Sequence, residues 1–140
     1  MTRTITVDLQ THSHFSDGDA SPTELARRAA QAGLQVVALT DHATLAGVGE
    51  FAAAGRALDL RTVVGVEITC LHGERWFDTL AYGMDMSHPG LRAVLATNQS
   101  AFSTATMQYF DWLGERQAGP TPQTIRDHYG IAYDLKLGYW

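Results

Sequence analysis

Long hydrophobic runs, clustered basic residues and paired cysteines are all missing from this sequence. The single cysteine, Cys70, excludes an internal disulfide and fits a reducing compartment. No stretch reaches membrane-spanning length, and the N-terminal residues lack the apolar segment of a signal peptide. We therefore expect a cytoplasmic protein that does not enter a membrane. A formal net charge of −5 without a basic run argues against strong nonspecific binding of nucleic acid.

What is present is an ordinary globular composition, with 45% hydrophobic and 18% charged residues in a chain of 140, which suits one domain. Apolar segments predict three strands, at residues 4–10, 34–40 and 61–69. The capping-box segment "SPTE" predicts a helix that begins after Ser21 and ends at Gly33. Thr44 is the predicted cap of a second helix. Strands that alternate with helices predict parallel β/α architecture.

The second half of the chain follows a different pattern. The segment at residues 76–83 predicts a strand antiparallel to the third, and residues 89–117 predict a long helix that Pro120 and Pro122 interrupt. We expect a short helix within residues 121–130 and a strand or loose tail at residues 131–140. No repeat or interdomain linker divides the chain.

Residues that can bind metal ions follow or lie in each of the three predicted parallel strands. They are His12, His14 and Asp17 after the first strand, Asp41 and His42 after the second, and Glu67 in the third. Parallel strands deliver their carboxyl ends to one edge of a sheet, so these side chains are expected to converge. Imidazole and carboxylate groups together suit zinc, manganese or iron. Glu67 lies among valines and isoleucine, where an unpartnered carboxylate is costly to bury, and this favours a ligand role.

The motifs "HSHFSDGDASP", "LTDH" and "GVEIT" resemble, in order and spacing, the polymerase and histidinol phosphatase (PHP) family of metal-dependent phosphoesterases. The resemblance runs over residues 5–83 and implies a distorted seven-stranded β/α barrel. We therefore predict an α/β fold, a partial PHP-type barrel of mostly parallel strands with flanking helices. Residues 1–140 would form one incomplete domain, with the motifs in residues 4–83 and a helical remainder in residues 84–140.

The resemblance also implies two or three divalent metal ions and assigns their ligands. His12 and His14 would bind one ion, Glu67 would bridge to its neighbour, and Asp17 and His42 would hold another. Asp41 would support these ligands from outside, although an aspartate after a strand also often caps the next helix.

Two departures from the family pattern stand out. In "FDTLAYG", Asp78 occupies the place where many relatives carry a ligand histidine, so Asp78 either binds a metal ion or marks an altered site. Complete barrels of the family are also about twice as long as this chain, and the later Asp-x-His motif does not occur in it. The sequence therefore resembles the front half of a PHP domain.

The family implies hydrolysis of a phosphate ester of a nucleotide, an oligonucleotide end or a small metabolite by a metal-activated water. The alternative is a truncated module that binds metal or a partner without turnover. Ligands from the missing half would come from another subunit or from solvent, and open strand edges favour self-association, so we expect a homo-oligomer. Aromatic residues of the long helix either pack internally or form that interface: Phe102, Tyr109, Phe110 and Trp112.

Overall fold

The computed structural model describes residues 6–116 together with residues 119, 121, 123, 124 and 127. In chain order, the elements of this part are β1 (Val7–Thr11), α1 (Pro22–Gln31), β2 (Val36–Leu39), α2 (Val48–Ala57), β3 (Arg61–His72), β4 (Arg75–Tyr82) and α3 (Pro89–Glu115). β1, β2 and β3 pair in parallel, and β4 pairs antiparallel to β3, in the spatial order β1-β2-β3-β4. The predicted partial α/β barrel, a curled sheet with flanking helices, is therefore confirmed.

α1 begins and ends where the sequence predicts. The Ser21 hydroxyl accepts the N–H of Glu24 at 3.1 Å, Pro22 takes the first helical position, and Gly33 follows with a φ of 78°. The capping box is only half formed, because the Glu24 carboxylate accepts hydrogen bonds from Arg27 and Arg28. The buried residues of α1 are Pro22, Ala26 and Ala29, and the two alanines belong to the hydrophobic core.

The predicted start of α2 at Thr44 is wrong. Gly47 is the N-cap and the helix begins at Val48. The Thr44 hydroxyl instead accepts the N–H of Ala46 at 3.2 Å, which makes a local turn in place of a helical cap. Ser and Thr serve both structures, so the residue type alone did not distinguish them.

The hydrophobic core lies between the two helices and one face of the sheet. Its buried members are Ala26, Ala29, Val37, Leu39, Phe51 and Leu60. We call this side of the sheet the covered face. Phe51, the largest of these side chains, is 1% exposed and fills the space between α2 and the sheet.

The other side of the sheet, which carries Glu67 and Tyr82, is called the open face. The Tyr82 hydroxyl donates to the carbonyl of Leu9 at 2.7 Å, so β4 reaches across to β1, the strand at the opposite end of the sheet. Gly65, paired with Tyr82 in β3, leaves room for this crossing, since a Cβ there would lie 3.2 Å from the Tyr82 ring and 2.6 Å from the Thr40 methyl group. The contact shows that the sheet is strongly curled.

α3 lies over the carboxyl end of β2 and the middle of β3. His88 caps it by accepting the Gly90 N–H at Nδ1. Asn98 Oδ1 accepts the N–H of Thr69 at 3.0 Å, and Gln99 Nε2 donates to the carbonyl of Ala43 at 2.9 Å. These two amides fix the helix beside the ligand residues predicted from the sequence.

The predictions for the C-terminal segment are not tested by the structure. Most of residues 121–130, and all of residues 131–140, lie outside the described residues. Within the described part, no helix combines the length and the apolar character that crossing a membrane requires.

Candidate metal centre

Two imidazoles and two carboxylates converge at the open face, beyond the ends of β1 and β2. His12 Nδ1 lies 2.9 Å from Asp17 Oδ1, and His12 Nε2 lies 3.0 Å from Glu67 Oε2. His42 Nε2 is 3.9 Å from Asp17 Oδ2 and 3.8 Å from Glu67 Oε2. The His12 and His42 rings are 4.8 Å apart between centroids.

These separations suit ligands of shared cations. Two ligand atoms that are each about 2.0–2.2 Å from one ion lie about 3 to 4 Å from each other. Among the described residues, two sets bring three ligand atoms within 4.8 Å of one another. We call His12, Asp17 and His42 the first group, and His42, Glu67 and Asp78 the second group. Nitrogen and oxygen donors of this kind match divalent transition metals.

The loop between β1 and α1 holds His12 and Asp17 in place through Asp41. Asp41 Oδ1 accepts the Ser13 N–H at 2.7 Å and the Ser16 hydroxyl at 2.7 Å, and Oδ2 accepts the Ser13 hydroxyl at 2.6 Å. The residue is 1% exposed. With three donors on its two oxygens, Asp41 organises the loop.

The same loop folds back tightly on the His12 backbone. The N–H of Gly18 donates to the carbonyl of Ser13, and a Cβ at position 18 would lie 2.2 Å from the His12 carbonyl oxygen. Only glycine fits such an approach. The "SDG" of the sequence therefore places Asp17 directly opposite the His12 ring.

Hydrogen bonds to the Glu67 backbone hold the chain on both sides of His42, at Asp41 and at Ala43. Ala43 has a φ of 54°, an uncommon value for a residue with a side chain, and its N–H donates to the carbonyl of Glu67. The Glu67 N–H in turn donates to the carbonyl of Asp41, so His42 and Glu67 are paired side by side. The Phe102 ring of α3 meets the His42 ring edge-on, with centroids 6.4 Å apart. Several contacts thus fix the orientation of this imidazole.

Charges within the cluster shift the pKa values of His12 and Asp17. Burial lowers the pKa of His12, but the hydrogen bond to Asp17 and the charges of Asp17, Glu67 and Asp41 outweigh it and raise that pKa above 6.5. The hydrogen bond and charge of His12 lower the pKa of Asp17 to about 2. Asp17 is therefore a carboxylate throughout the neutral range, the form that binds cations.

The remaining predicted residues lie apart from this cluster or at its rim. β1 ends at Thr11, so His12 and His14 do not share a strand face, and the His14 ring packs edge-on against Phe15. His14 belongs to neither group. Asp78 reaches the second group while its Oδ1 accepts the Thr69 hydroxyl at 2.6 Å. Glu67, which is a member of the cluster, lies within β3 and not at its end, because that strand continues to His72 as a hairpin with β4.

Gln10 is the site residue that sequence reasoning missed. Its Nε2 lies 3.3 Å and 3.2 Å from the two carboxylate oxygens of Glu67. Strict alternation along β1 would turn Gln10 away from the face that carries Val7. The pairing with β2 shifts between Asp8 and Thr11, and this irregularity brings Gln10 to the open face. No signal in the sequence marks that shift.

Known proteins resemble this chain in sequence. The family profile described as PHP domain matches residues 8–125. A 5'-3' exoribonuclease of Haemophilus influenzae is 38% identical over 93 residues, which cover 66% of this chain and 34% of the relative. A 3',5'-nucleoside bisphosphate phosphatase of Chromobacterium violaceum is 37% identical over 89 residues, which cover 64% of this chain and 31% of the relative.

The fold has a solved counterpart as well. A protein of Bifidobacterium adolescentis whose description names it a metal-dependent phosphoesterase superposes with a TM-score of 0.88 at 26% identity. The superposition covers 97% of this chain and 47% of that protein. The chain thus spans about a third of the length of the two curated relatives and about half of the solved structure.

Proposed function

The chain belongs to the PHP domain family, and from that membership we propose that it carries the metal-binding half of a phosphoesterase site. The observation that supports this proposal is the convergence of His12, Asp17, His42 and Glu67 within coordination distance at one edge of the sheet. His14, Asp41 and Asp78 remain proposed participants, Asp41 as a support. The proposed cofactors are two or three divalent ions of manganese, zinc or iron.

Divalent cations bound there would supply charge neutralisation for the phosphate and activation of water. The chain's own residues do the positioning. Asp17 offers an ionised carboxylate at neutral pH, because its pKa is about 2 beside His12 before any cation binds. The Phe102 ring and the backbone contact of Ala43 lie beside His42 and restrict where its ring can point. Side chains positioned in this way would hold the bound cations, and through them the phosphate, in the geometry that the reaction needs.

A phosphate ester of a nucleotide or of an oligonucleotide end is the proposed substrate class, with a small metabolite ester as the wider possibility. Two relatives favour this choice, since one is an exoribonuclease and the other a nucleoside bisphosphate phosphatase. The negative net charge of the chain makes bound cations the local source of positive potential for such an anion.

The test uses the purified chain with a chromogenic phosphoester, with Mn²⁺ or after chelation. We expect turnover with Mn²⁺ that falls at least about 100-fold in His42→Ala, since removal of a transition-state contact commonly costs that much. His72→Ala is the matched control, because His72 is exposed at the end of β3. Metal binding without turnover would favour the alternative, a binding module, and equal activity in both variants would contradict the proposed site.

We also propose that the chain self-associates. β1 and β4 are the edges of the four-stranded sheet, and apolar side chains remain exposed on them, with Val7 52% and Trp76 69% exposed. Light scattering coupled to size-exclusion chromatography measures the mass in solution. A monomer across a tenfold concentration range would contradict this proposal.

A further inference from the structure

The amide nitrogen of Gln10 lies almost symmetrically between the two oxygens of the Glu67 carboxylate, as a cation bound by both oxygens would. One amide nitrogen lies at nearly equal distances, 3.3 Å and 3.2 Å, from both oxygens of Glu67. The Glu67 side chain is only 7% exposed, so solvent offers it few alternative donors. The amide N–H groups must face the carboxylate, because an amide oxygen at that distance would repel it. Gln10 therefore gives Glu67 part of the compensation that a bidentate metal ion would give.

We propose that Gln10 sets the order in which cations bind. Its amide holds the Glu67 carboxylate until a second cation displaces it, so the first group fills first and the position at Glu67 and Asp78 fills second and more weakly. The inference rests on the proposed function only in that both groups bind cations. It adds a residue that controls their relative affinities.

The physical reason for this order is that Gln10 and the second cation compete for the same two carboxylate oxygens of Glu67. A cation that uses both Glu67 oxygens must break two charge-assisted contacts to Gln10 as well as the 3.0 Å contact of His12 Nε2. A cation between His12 Nδ1 and Asp17 breaks none of these contacts. His42 is common to both groups, and this also weakens cation binding at the second position. Its Nε2 lies 3.9 Å from Asp17 and 3.8 Å from Glu67, and one ring nitrogen coordinates a single cation. Once the first group takes that nitrogen, the second position retains mainly carboxylate oxygens.

The experiment is calorimetric titration of the chelator-treated chain with Mn²⁺, with free Mn²⁺ counted in parallel by its electron paramagnetic resonance signal. Loss of a hydrogen bond to a charged group corresponds to about a tenfold change in affinity. In the wild-type chain we expect two classes of Mn²⁺ site, or a single class if the second is very weak. In Gln10→Ala the second class should tighten by at least about tenfold, or become visible, and the first should change by less than about threefold.

Gln31→Ala is the matched control, because this glutamine is exposed at the end of α1 and should leave both classes unchanged. Gln10→His provides a second variant in case Gln10→Ala fails to fold. An imidazole there would replace a competing donor with a ligand two residues before His12, so the second class should again tighten.

The outcomes separate the two proposals. A wild-type chain that binds no Mn²⁺ would overturn the proposed metal centre itself. Mn²⁺ binding whose second class is unchanged in the folded Gln10 variants would overturn only the role of Gln10. A second class that weakens in Gln10→Ala would also overturn it, because Gln10 would then be serving as a ligand.

Discussion

The two faces of the same sheet differ in what covers them. On the covered face, Val37 and Leu39 are 0% and 1% exposed beneath α1 and α2. On the open face, Val7 remains 52% and Tyr82 39% exposed, and the buried groups there include Glu67, which is 5% exposed. Burial of apolar area concentrates the stability of the chain on one side. The open face instead holds ionisable groups close to one another. Neither bulk water nor a purely apolar surface would hold them in this way.

Truncation of the covered face should have the largest effect on stability. Phe51→Ala removes a buried ring between α2 and the sheet and is expected to lower the free energy of unfolding by about 3–5 kcal/mol. Chemical denaturation followed by circular dichroism measures it. Trp76→Ala on β4, whose ring is 69% exposed on the open face, is the control and should cost less than about 1 kcal/mol. Equal losses in the two variants would contradict the contrast between the faces.

Cations should give the open face the stability that it otherwise lacks. Because Mn²⁺ would bind the folded chain and not the unfolded one, a concentration 100-fold above its dissociation constant should add about 2.7 kcal/mol to the free energy of unfolding. Thermal unfolding with Mn²⁺ and after chelation tests this. In His42→Ala, which lacks the imidazole common to both groups, the added stability should shrink strongly. A gain that survives in this variant would place the cations elsewhere.

The hydroxyl of Tyr82 should contribute a smaller amount. Tyr82→Phe removes its hydrogen bond to the Leu9 carbonyl and should cost about 0.5–1.5 kcal/mol, nearer the lower value because the contact is exposed to water. Amide hydrogen exchange would localise the change to β1 and β4. Unchanged exchange in β1 would mean that this contact does not hold the two edges together.

The outer surface of α1 belongs to neither face and should show the weakest effect. Hydrogen bonds from Arg27 and Arg28 lower the pKa of Glu24 from 4.5 to about 2. A folded-state pKa below the unfolded one means that the contribution is complete above pH 4.5 and disappears as the pH falls towards 2. Glu24→Gln should therefore be slightly less stable than the wild type at pH 7, with the difference vanishing near pH 2. A difference that grows on acidification would contradict this assignment.

Local sequence signals were sufficient where neighbouring residues point to the same structure. Ser21 with Pro22 marked the start of α1, Gly33 marked its end, and the antiparallel strand after β3 was predicted from its apolar pattern. Local signals failed where a residue type serves two structures, as at Thr44. They also failed at Gln10, because the irregularity in β1 arises from pairing with β2 and leaves no local trace. The resemblance drew attention to His14, whereas the strand geometry brings Gln10 beside Glu67.

The bond between Tyr82 and Leu9 also bears on how the chain folds. The two residues are 73 positions apart, whereas every strand pair of the sheet joins neighbours in sequence. Closing so long a loop costs more entropy than pairing adjacent strands, so we expect neighbouring strands to pair before the sheet takes its final curvature. We expect the Tyr82 hydroxyl to reach Leu9 only after β4 has paired with β3, so the environment of this ring would report completion of folding.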